Sequence, residues 1–225
     1  MTTTSHGPSH LDERIAVVNA SSGFFRAGIM SHSGHANFSA RVNSEEIVLT
    51  STGQVRELTV EDFAVVRLDG GLVEGDLAPT NAEIITMHTK VYLARPEVGA
   101  VVHTHSPNLL AFAMANLPVP ARYEALLRFG QAEEVPVAAW APRGSERSVE
   151  AIVELVRERP GTNAVLLGNH GVLVFGASVE ATAALLTVLE EAAEAELGAM
   201  ALGGAKSLPD GALEAVRVSM ARVAP

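Results

Sequence analysis

The sequence predicts an α/β fold in which a mostly antiparallel sheet lies between helices. Segments with apolar residues at helical spacing alternate with short, β-branched apolar segments that are typical of strands. Several of these short segments are joined by glycine-containing turns, and such hairpins favour an antiparallel sheet over a doubly wound parallel one. The chain has 225 residues, 48% of them hydrophobic, which suffices for one sizeable core. We therefore expect a single domain over residues 11–225, preceded by a loose polar tail over residues 1–10.

The helices are predicted from apolar spacing and from residues that begin or end helices. The first predicted helix runs into Gly28, and the second has a proline near its first turn and stops at Arg95-Pro96. In chain order, the predicted helices span residues 11–27, 79–94, 107–116, 145–159 and 178–202.

The strands are predicted from short apolar runs bounded by turn residues. Two pairs of runs form hairpins, one around Asp69-Gly70-Gly71 and one around the turn 168–171, which carries His170. The predicted strands are residues 47–51, 63–68, a partner strand after residue 71, 98–102, a proline-containing edge strand at 135–138, 164–167 and 172–175. Residues 30–41 lead into the first of these strands and are rich in small polar side chains, so we expect a loop there.

The composition excludes several classes of function. Sixteen Lys and Arg against 26 Asp and Glu give a net charge of −10, which repels nucleic acids and anionic membrane surfaces. The most apolar long stretch, 181–202, carries four glutamates and is unsuited to a bilayer span. The polar first ten residues have no signal-peptide pattern. We therefore expect a cytoplasmic protein that has a small-molecule substrate and no nucleic-acid or membrane partner.

The most specific feature is His103-Thr104-His105, which directly follows the predicted strand. In an extended chain, residues two apart point to the same face, so one metal ion can take both imidazoles. The chain has no cysteine, so any metal must be held by His, Asp or Glu. Two histidines at this spacing, taken alone, are more often surface or core residues that hold no ligand.

His170 strengthens the metal hypothesis because its glycine-flanked turn lets an imidazole project without crowding. Three histidines leave a divalent cation an open position, as catalysis requires, whereas a closed structural site needs a fourth ligand. Three imidazoles suit Zn²⁺, with Mn²⁺, Co²⁺ or Fe²⁺ as alternatives. His88 is a competing candidate, but its place on a predicted helix favours packing or capping over ligation.

The chain resembles the class II aldolase/adducin family in five blocks over residues 11–202. The blocks are GHANFSAR (34–41), LTSTG (49–53), DGGLVEG (69–75), RPEVGAVVHTH (95–105) and LLGNHG (166–171). The resemblance implies a three-layer class II aldolase-like fold and a homotetramer with active sites at subunit interfaces. It also implies that His103, His105 and His170 are the metal ligands.

The resemblance further implies two catalytic residues. Glu83 is the nearest match to the family's acid/base, a role for which we expect a buried carboxyl group. Its separation from His88 is five positions rather than the family's four, so a helix shift or an insertion is required. A glutamate near a helix N-terminus is also favourable without any catalytic role. Tyr123, 18 residues after His105, matches a tyrosine that reaches the neighbouring subunit's site, although it could also be an interface anchor.

The same resemblance assigns a phosphate-binding role to Asn37, Thr52 and Gly53, and small residues with free N–H groups suit an anion. The family's serine pair is replaced by Thr80-Asn81-Ala82, which leaves Asn81 as the substitute substrate-binding residue. Because that cradle is incomplete, a non-phosphorylated carboxylate is an alternative to a sugar-phosphate-like substrate.

These features together predict a metal-dependent lyase of carbohydrate metabolism that cleaves a carbon–carbon bond of a small hydroxy-carbonyl compound through a metal-stabilised enediolate. The same scaffold is known to host decarboxylases, dehydratases and Fe(II) oxygenases, which remain alternatives. A non-catalytic, adducin-like module is the alternative outside the enzymes, and the three intact histidines count against it.

Overall fold

The computed structural model describes residues 8–222, so most of the expected tail over residues 1–10 lies outside the described residues. The helices are α1 (Leu11–Ala27), α2 (Pro79–Ala82), α3 (Ile85–Ala94), α4 (Pro107–Ala115), α5 (Glu124–Arg128), α6 (Glu146–Glu158), α7 (Val179–Met200) and α8 (Ala212–Ala221). The strands are β1 (Ala36–Arg41), β2 (Glu46–Thr50), β3 (Phe63–Arg67), β4 (Leu72–Glu74), β5 (Ala100–Thr104), β6 (Val137–Ala138), β7 (Ala164–Leu167) and β8 (Gly171–Gly176). Within residues 8–222, no helix is long and apolar enough to cross a membrane.

The eight strands form one sheet in the order β4-β3-β2-β1-β5-β8-β7-β6. All neighbouring strands are antiparallel except the short edge strand β6, which runs parallel to β7. Both predicted hairpins, β3–β4 and β7–β8, are present. The mostly antiparallel sheet that the sequence predicts is therefore confirmed.

Helices cover both faces of the sheet. Val102 and Val174 pack with α1, α4 and α7 in one apolar cluster, whereas their chain neighbours Val101 and Leu173 pack with α3 and α6 in another. Successive residues alternate between the two clusters because side chains along a strand point to opposite faces. The resulting three layers confirm the predicted architecture.

The loop predicted for residues 30–41 is wrong over residues 36–41, which form β1. This strand lies between β2 and β5, and five of its six residues are buried. A strand that is buried on both faces has no apolar–polar alternation, so small residues such as Ser39 and Ala40 conceal it. The consequence matters for the site, because β1 carries Asn37.

The helix predicted over residues 79–94 is interrupted. Glu83 and Ile84 form a turn between α2 and α3, so Glu83 and His88 do not lie on one continuous helix. Two helices, α5 and α8, were not predicted. The first has only five residues, and in the second only Val216 is buried, so neither has a strong periodic signal.

Candidate metal centre

Three imidazole rings meet where β5 ends beside the β7–β8 turn. The ring centroids of His103, His105 and His170 lie 4.7 to 5.3 Å apart. One nitrogen from each ring can be chosen so that all three lie within 4.8 Å of one another. The arrangement could therefore hold a single metal ion, as the spacing of the histidines predicts.

Sheet pairing explains why residues so distant in sequence converge. His103 lies opposite Leu173 in the β5–β8 ladder, so the turn residue His170 lies beside the end of β5. The His103 Nδ1 atom is 3.0 Å from the Val172 carbonyl oxygen, which can only accept a hydrogen bond. Nδ1 is therefore the protonated nitrogen, and Nε2 is left with the lone pair that a metal needs.

Gly171 permits the close approach of the hairpin to the two histidines of β5. A Cβ atom at this position would lie 2.6 Å from the Thr104 carbonyl oxygen and 2.7 Å from Cδ2 of His105. The preceding turn is anchored by Asn169, whose φ is 55° and whose N–H donates to the Ala113 carbonyl oxygen at 2.9 Å. Asn tolerates this left-handed conformation better than most residues.

Burial favours the neutral form of the three rings. It lowers the pKa of His103 well below its ordinary value, with further lowering from the other two rings. It also lowers the pKa of His105 to about 4, with contributions from His170 and His35, although a hydrogen bond to the His35 backbone acts in the opposite direction. Burial lowers the pKa of His170 too, and the charge of Arg143 adds to this. Neutral imidazoles are the ligating form, so these residues fit a divalent cation.

A buried carboxylate positions the helix that follows His105. Oε1 of Glu190, on α7, accepts hydrogen bonds from the Asn108 backbone N–H at 2.7 Å and from the Asn108 side chain at 3.0 Å. Its Oε2 accepts from the Leu109 N–H at 3.0 Å. Burial raises the pKa of Glu190, and these hydrogen bonds oppose that shift. The first turn of α4 is thereby tied to α7, next to the end of β5.

Glu83 lies in the turn between α2 and α3 and lines a small cavity with His103, Arg143 and His170. Its side chain is exposed in the single chain, contrary to the burial expected from the sequence. The reason is the helix break at this point, which leaves Glu83 at the rim rather than on a packed helix face. The structure thus brings Glu83, His103 and His170 to one cavity, while the catalytic role of Glu83 stays a prediction.

Asn37 belongs to a buried hydrogen-bonded chain that includes His88. Asn37 is the register partner of His103 in the β1–β5 ladder. His88 Nε2 lies 2.7 Å from Asn37 Oδ1, His88 Nδ1 lies 2.7 Å from Ser39 Oγ, and Ser39 Oγ lies 2.9 Å from the Tyr92 hydroxyl. His88 is therefore a core residue outside the histidine cluster, in agreement with its predicted packing role.

The other predicted substrate-binding residues lie near the start of β1. The Gly53 carbonyl oxygen accepts a hydrogen bond from the Ala36 N–H at 3.0 Å, which places Gly53 and the exposed Thr52 close to Asn37. Asn81 is fully buried, and its Nδ2 donates to the Thr50 carbonyl oxygen at 2.7 Å. Its Oδ1 is buried without a hydrogen-bond partner in the described part of the chain. Substrate binding by these residues stays a prediction.

Tyr123 lies apart from these residues in the single chain. It precedes α5, its exposed fraction is 43%, and it is not among the residues that line the cavity with Glu83 and His170. An exposed tyrosine is available to a neighbouring subunit, as the resemblance implies, but nothing in a single chain places it at a site.

The sequence analysis missed Arg143, a cationic residue at the rim of the same cavity. It lies in the loop before α6, and its Nη2 donates to the Thr80 carbonyl oxygen at 2.6 Å. The only local signal is the run Pro142-Arg143-Gly144 before a predicted helix, which marks a loop that could carry function.

Known proteins that are similar to this chain belong to one enzyme family. The family described as Class II Aldolase and Adducin N-terminal domain matches residues 15–197. A 5-deoxy-D-ribulose 1-phosphate aldolase of Bacillus thuringiensis is 28% identical over 158 residues, which are 70% of this chain and 71% of that protein. A 3-oxo-tetronate 4-phosphate decarboxylase of Haemophilus influenzae is 31% identical over 168 residues, which are 72% and 76% of the two chains.

A solved structure of an L-fuculose 1-phosphate aldolase has the same fold. It superposes with a TM-score of 0.82 at 22% sequence identity, over 95% of this chain and all of that one. The sequence relatives are class II aldolase-type enzymes, which supports an aldolase-like lyase over an inert module. The extent of the family match shows that the chain belongs to the class II aldolase and adducin family.

Proposed function

We propose that this protein is a metal-dependent lyase that cleaves a carbon–carbon bond of a small hydroxy-carbonyl substrate, sugar-phosphate-like or carboxylate. The observation that carries the proposal is the convergence of His103, His105 and His170. No fourth His, Asp or Glu joins this group within residues 8–222. Three neutral nitrogen ligands leave a cation room for a substrate, which distinguishes a catalytic site from a closed structural one.

The residues around the triad have complementary tasks. A divalent cation held by the three rings would supply the Lewis acidity that stabilises negative charge on the substrate as the bond breaks. Glu83, which faces the same cavity as His103 and His170, would move the proton. Asn37, Thr52, Gly53 and Asn81 would hold the far end of the substrate. The donors of Asn37 and of the Gly53 loop suit an anionic group there.

We propose Zn²⁺ as the metal, with Mn²⁺, Co²⁺ or Fe²⁺ as the alternatives that three imidazoles also suit. The test is elemental analysis of the purified wild type, His103→Ala and His32→Ala. His32 is an exposed histidine outside the triad and serves as the matched control. We expect stoichiometric metal in the wild type and in His32→Ala, and none in His103→Ala. Full metal content in His103→Ala would refute the site.

The decarboxylase relative makes decarboxylation the second candidate reaction, since that protein and this chain share a match over most of their lengths. The two reactions differ in their products. Under argon, incubation with a 5-deoxyketose 1-phosphate should release an aldehyde if the protein is an aldolase that accepts sugar phosphates. Release of carbon dioxide from a 3-oxo acid phosphate, without aldehyde from the ketose, would favour the decarboxylase. Dioxygen consumption with added Fe(II) would favour an oxygenase.

We further propose a homotetramer with sites at the subunit interfaces, in which Tyr123 of one subunit completes the site of its neighbour. The exposure of Tyr123 and its separation from the triad in the single chain support this. Mixing Tyr123→Phe with His103→Ala subunits tests it, because a mixed oligomer contains sites with an intact triad and an intact tyrosine. Restored activity is expected, and two variants that stay inactive when mixed would contradict shared sites. The cytoplasmic location expected from the sequence stays a prediction.

A further inference from the structure

Arg143 places a positive charge beside the histidine cluster. Its side chain lines the same small cavity as Glu83, His103 and His170.

The loop geometry holds this arginine in place. The hydrogen bond from Nη2 to the Thr80 carbonyl oxygen uses one edge of the guanidinium. The next residue, Gly144, has a φ of +74°, and a Cβ atom there would lie 3.2 Å from the Cβ atom of Glu83. The loop before α6 therefore packs against the turn that carries Glu83, which keeps Arg143 at the rim of the cavity.

No carboxylate neutralises Arg143 within residues 8–222. The salt bridges in this part of the chain involve other arginines, and Glu83 shares the cavity without pairing with Arg143. A cation beside a site for a divalent metal is unfavourable by itself, because like charges repel each other. An anionic group that lies between the two would offset that repulsion.

We propose that Arg143 binds a carboxylate of the substrate, next to the substrate oxygens that reach the triad. This inference rests on the proposed metal-dependent function and defines its substrate class as hydroxy- or oxo-carboxylates. A planar guanidinium matches a carboxylate with two parallel hydrogen bonds. Glu83 also lines this cavity, and its negative charge repels a carboxylate with one negative charge less than a phosphate dianion. The predicted phosphate-binding residues, by contrast, lie on β1 and on the turn after β2.

The test measures ligand binding rather than turnover. Calorimetric titration of the metal-loaded protein with glycolate, glycolamide and inorganic phosphate compares a carboxylate with its uncharged analogue and with a phosphate. The variants are Arg143→Gln, Arg143→Lys and the control Arg147→Gln. Arg147 is exposed on α6 and does not line the cavity. Elemental analysis of each protein verifies its metal content.

We expect Arg143→Gln to lose about tenfold in glycolate affinity, because a bidentate charge-assisted contact is removed, and to change glycolamide affinity by less than about twofold. Arg143→Lys should lie in between, since an ammonium group keeps the charge without the fork. Unchanged glycolate affinity in Arg143→Gln, or an equal loss in Arg147→Gln, would overturn the assignment. An effect on phosphate binding alone would overturn the choice of a carboxylate.

Failure of the proposed function has a different signature. A wild type that holds no metal contradicts the metal-dependent lyase. Binding of glycolate that still depends on Arg143 in that protein would support the carboxylate subsite by itself. If the metal-loaded wild type and Arg143 variants instead bind glycolate equally well, the proposed metal site stands and the proposed carboxylate subsite is wrong.

Discussion

His88 donates a hydrogen bond from Nε2 to Oδ1 of Asn37 at 2.7 Å. Because an amide oxygen can only accept, the second ring nitrogen of a neutral His88 must accept, and it does so from Ser39 Oγ. Ser39 Oγ in turn accepts from the Tyr92 hydroxyl. This chain of contacts orients the Asn37 amide with its oxygen toward the core, so its N–H₂ group is the one available to a substrate.

Replacing His88 with leucine should destabilise the protein. The change removes a donor from Asn37 Oδ1 and an acceptor from Ser39 Oγ in a fully buried region. We expect the free energy of unfolding in urea to fall by about 3 kcal/mol. Tyr92→Phe removes only the end of the chain and should cost about 1 kcal/mol. Equal losses in the two variants would show that His88 contributes no more to stability than the Tyr92 hydroxyl group does.

His88 should also make stability depend on pH. Burial lowers the pKa of His88 to about 3, from an ordinary value of 6.5. Its two hydrogen-bond partners are uncharged. The unfolded chain therefore binds a proton between pH 6.5 and about 3 that the folded chain refuses, so stability is full above pH 6.5 and declines as the pH falls.

The measurement is urea unfolding of chelator-treated wild type and His88→Leu at several pH values. In this window the wild type should lose about 1.4 kcal/mol per pH unit more than the variant. Comparing the two cancels the contribution of the triad histidines, which both proteins retain. Parallel pH profiles would mean that His88 is already protonated in the folded protein.

Gly171→Ala should displace the metal centre. The added methyl group would meet the Thr104 carbonyl oxygen at 2.6 Å, a backbone atom that cannot rotate away, and His105 at 2.7 Å. We expect a loss of about 1–3 kcal/mol in the free energy of unfolding and weaker metal retention during dialysis. Gly198→Ala on α7 is the matched control, because nothing lies within 4 Å of its Cβ position. That change should stabilise the helix by about 0.5–1 kcal/mol.

Glu190→Ala should loosen the helix that follows His105. Three donors in the first turn of α4 lose their carboxylate acceptor, two of them backbone N–H groups. We expect a decrease of about 2–3 kcal/mol in the free energy of unfolding. Glu191→Ala changes an exposed neighbour on the same helix and should stay within about 0.5 kcal/mol of the wild type. Similar free energies of unfolding for both variants would show that Glu190 does not hold the first turn of α4.

The elements that could be predicted from sequence are those with a local signal. The predicted helix over residues 11–27 coincides with α1, and the predicted helices at 107–116, 145–159 and 178–202 match α4, α6 and α7 to within two residues at each end. Each has a sustained periodic pattern or a clear terminus. Neither β1 nor the break at Glu83–Ile84 has such a signal. The strand β1 is buried on both faces of the sheet. The short helix before the break is held by the hydrogen bond from Asn81 to the Thr50 carbonyl oxygen of β2.

The same division applies to the site. The spacing of His103 and His105 and the glycine-flanked turn of His170 are visible in the sequence, and they predict rings that could share a cation. The contacts of Arg143 with Thr80 and of His88 with Asn37 are not visible in the sequence. The first joins residues that are 63 positions apart, and the second joins residues that are 51 positions apart.

The order of residues by itself determined that this chain forms an antiparallel sheet between helices and carries histidines at metal-binding spacing. Those properties follow from side-chain periodicity and from the alternation of side chains along a strand, which are local. Only the tertiary structure decided that Asn37 lies beside His103, that Glu83 stays at the rim of the cavity, and that Arg143 lines the same space. Strand register and helix packing set these distances, and both depend on contacts between residues far apart in the chain.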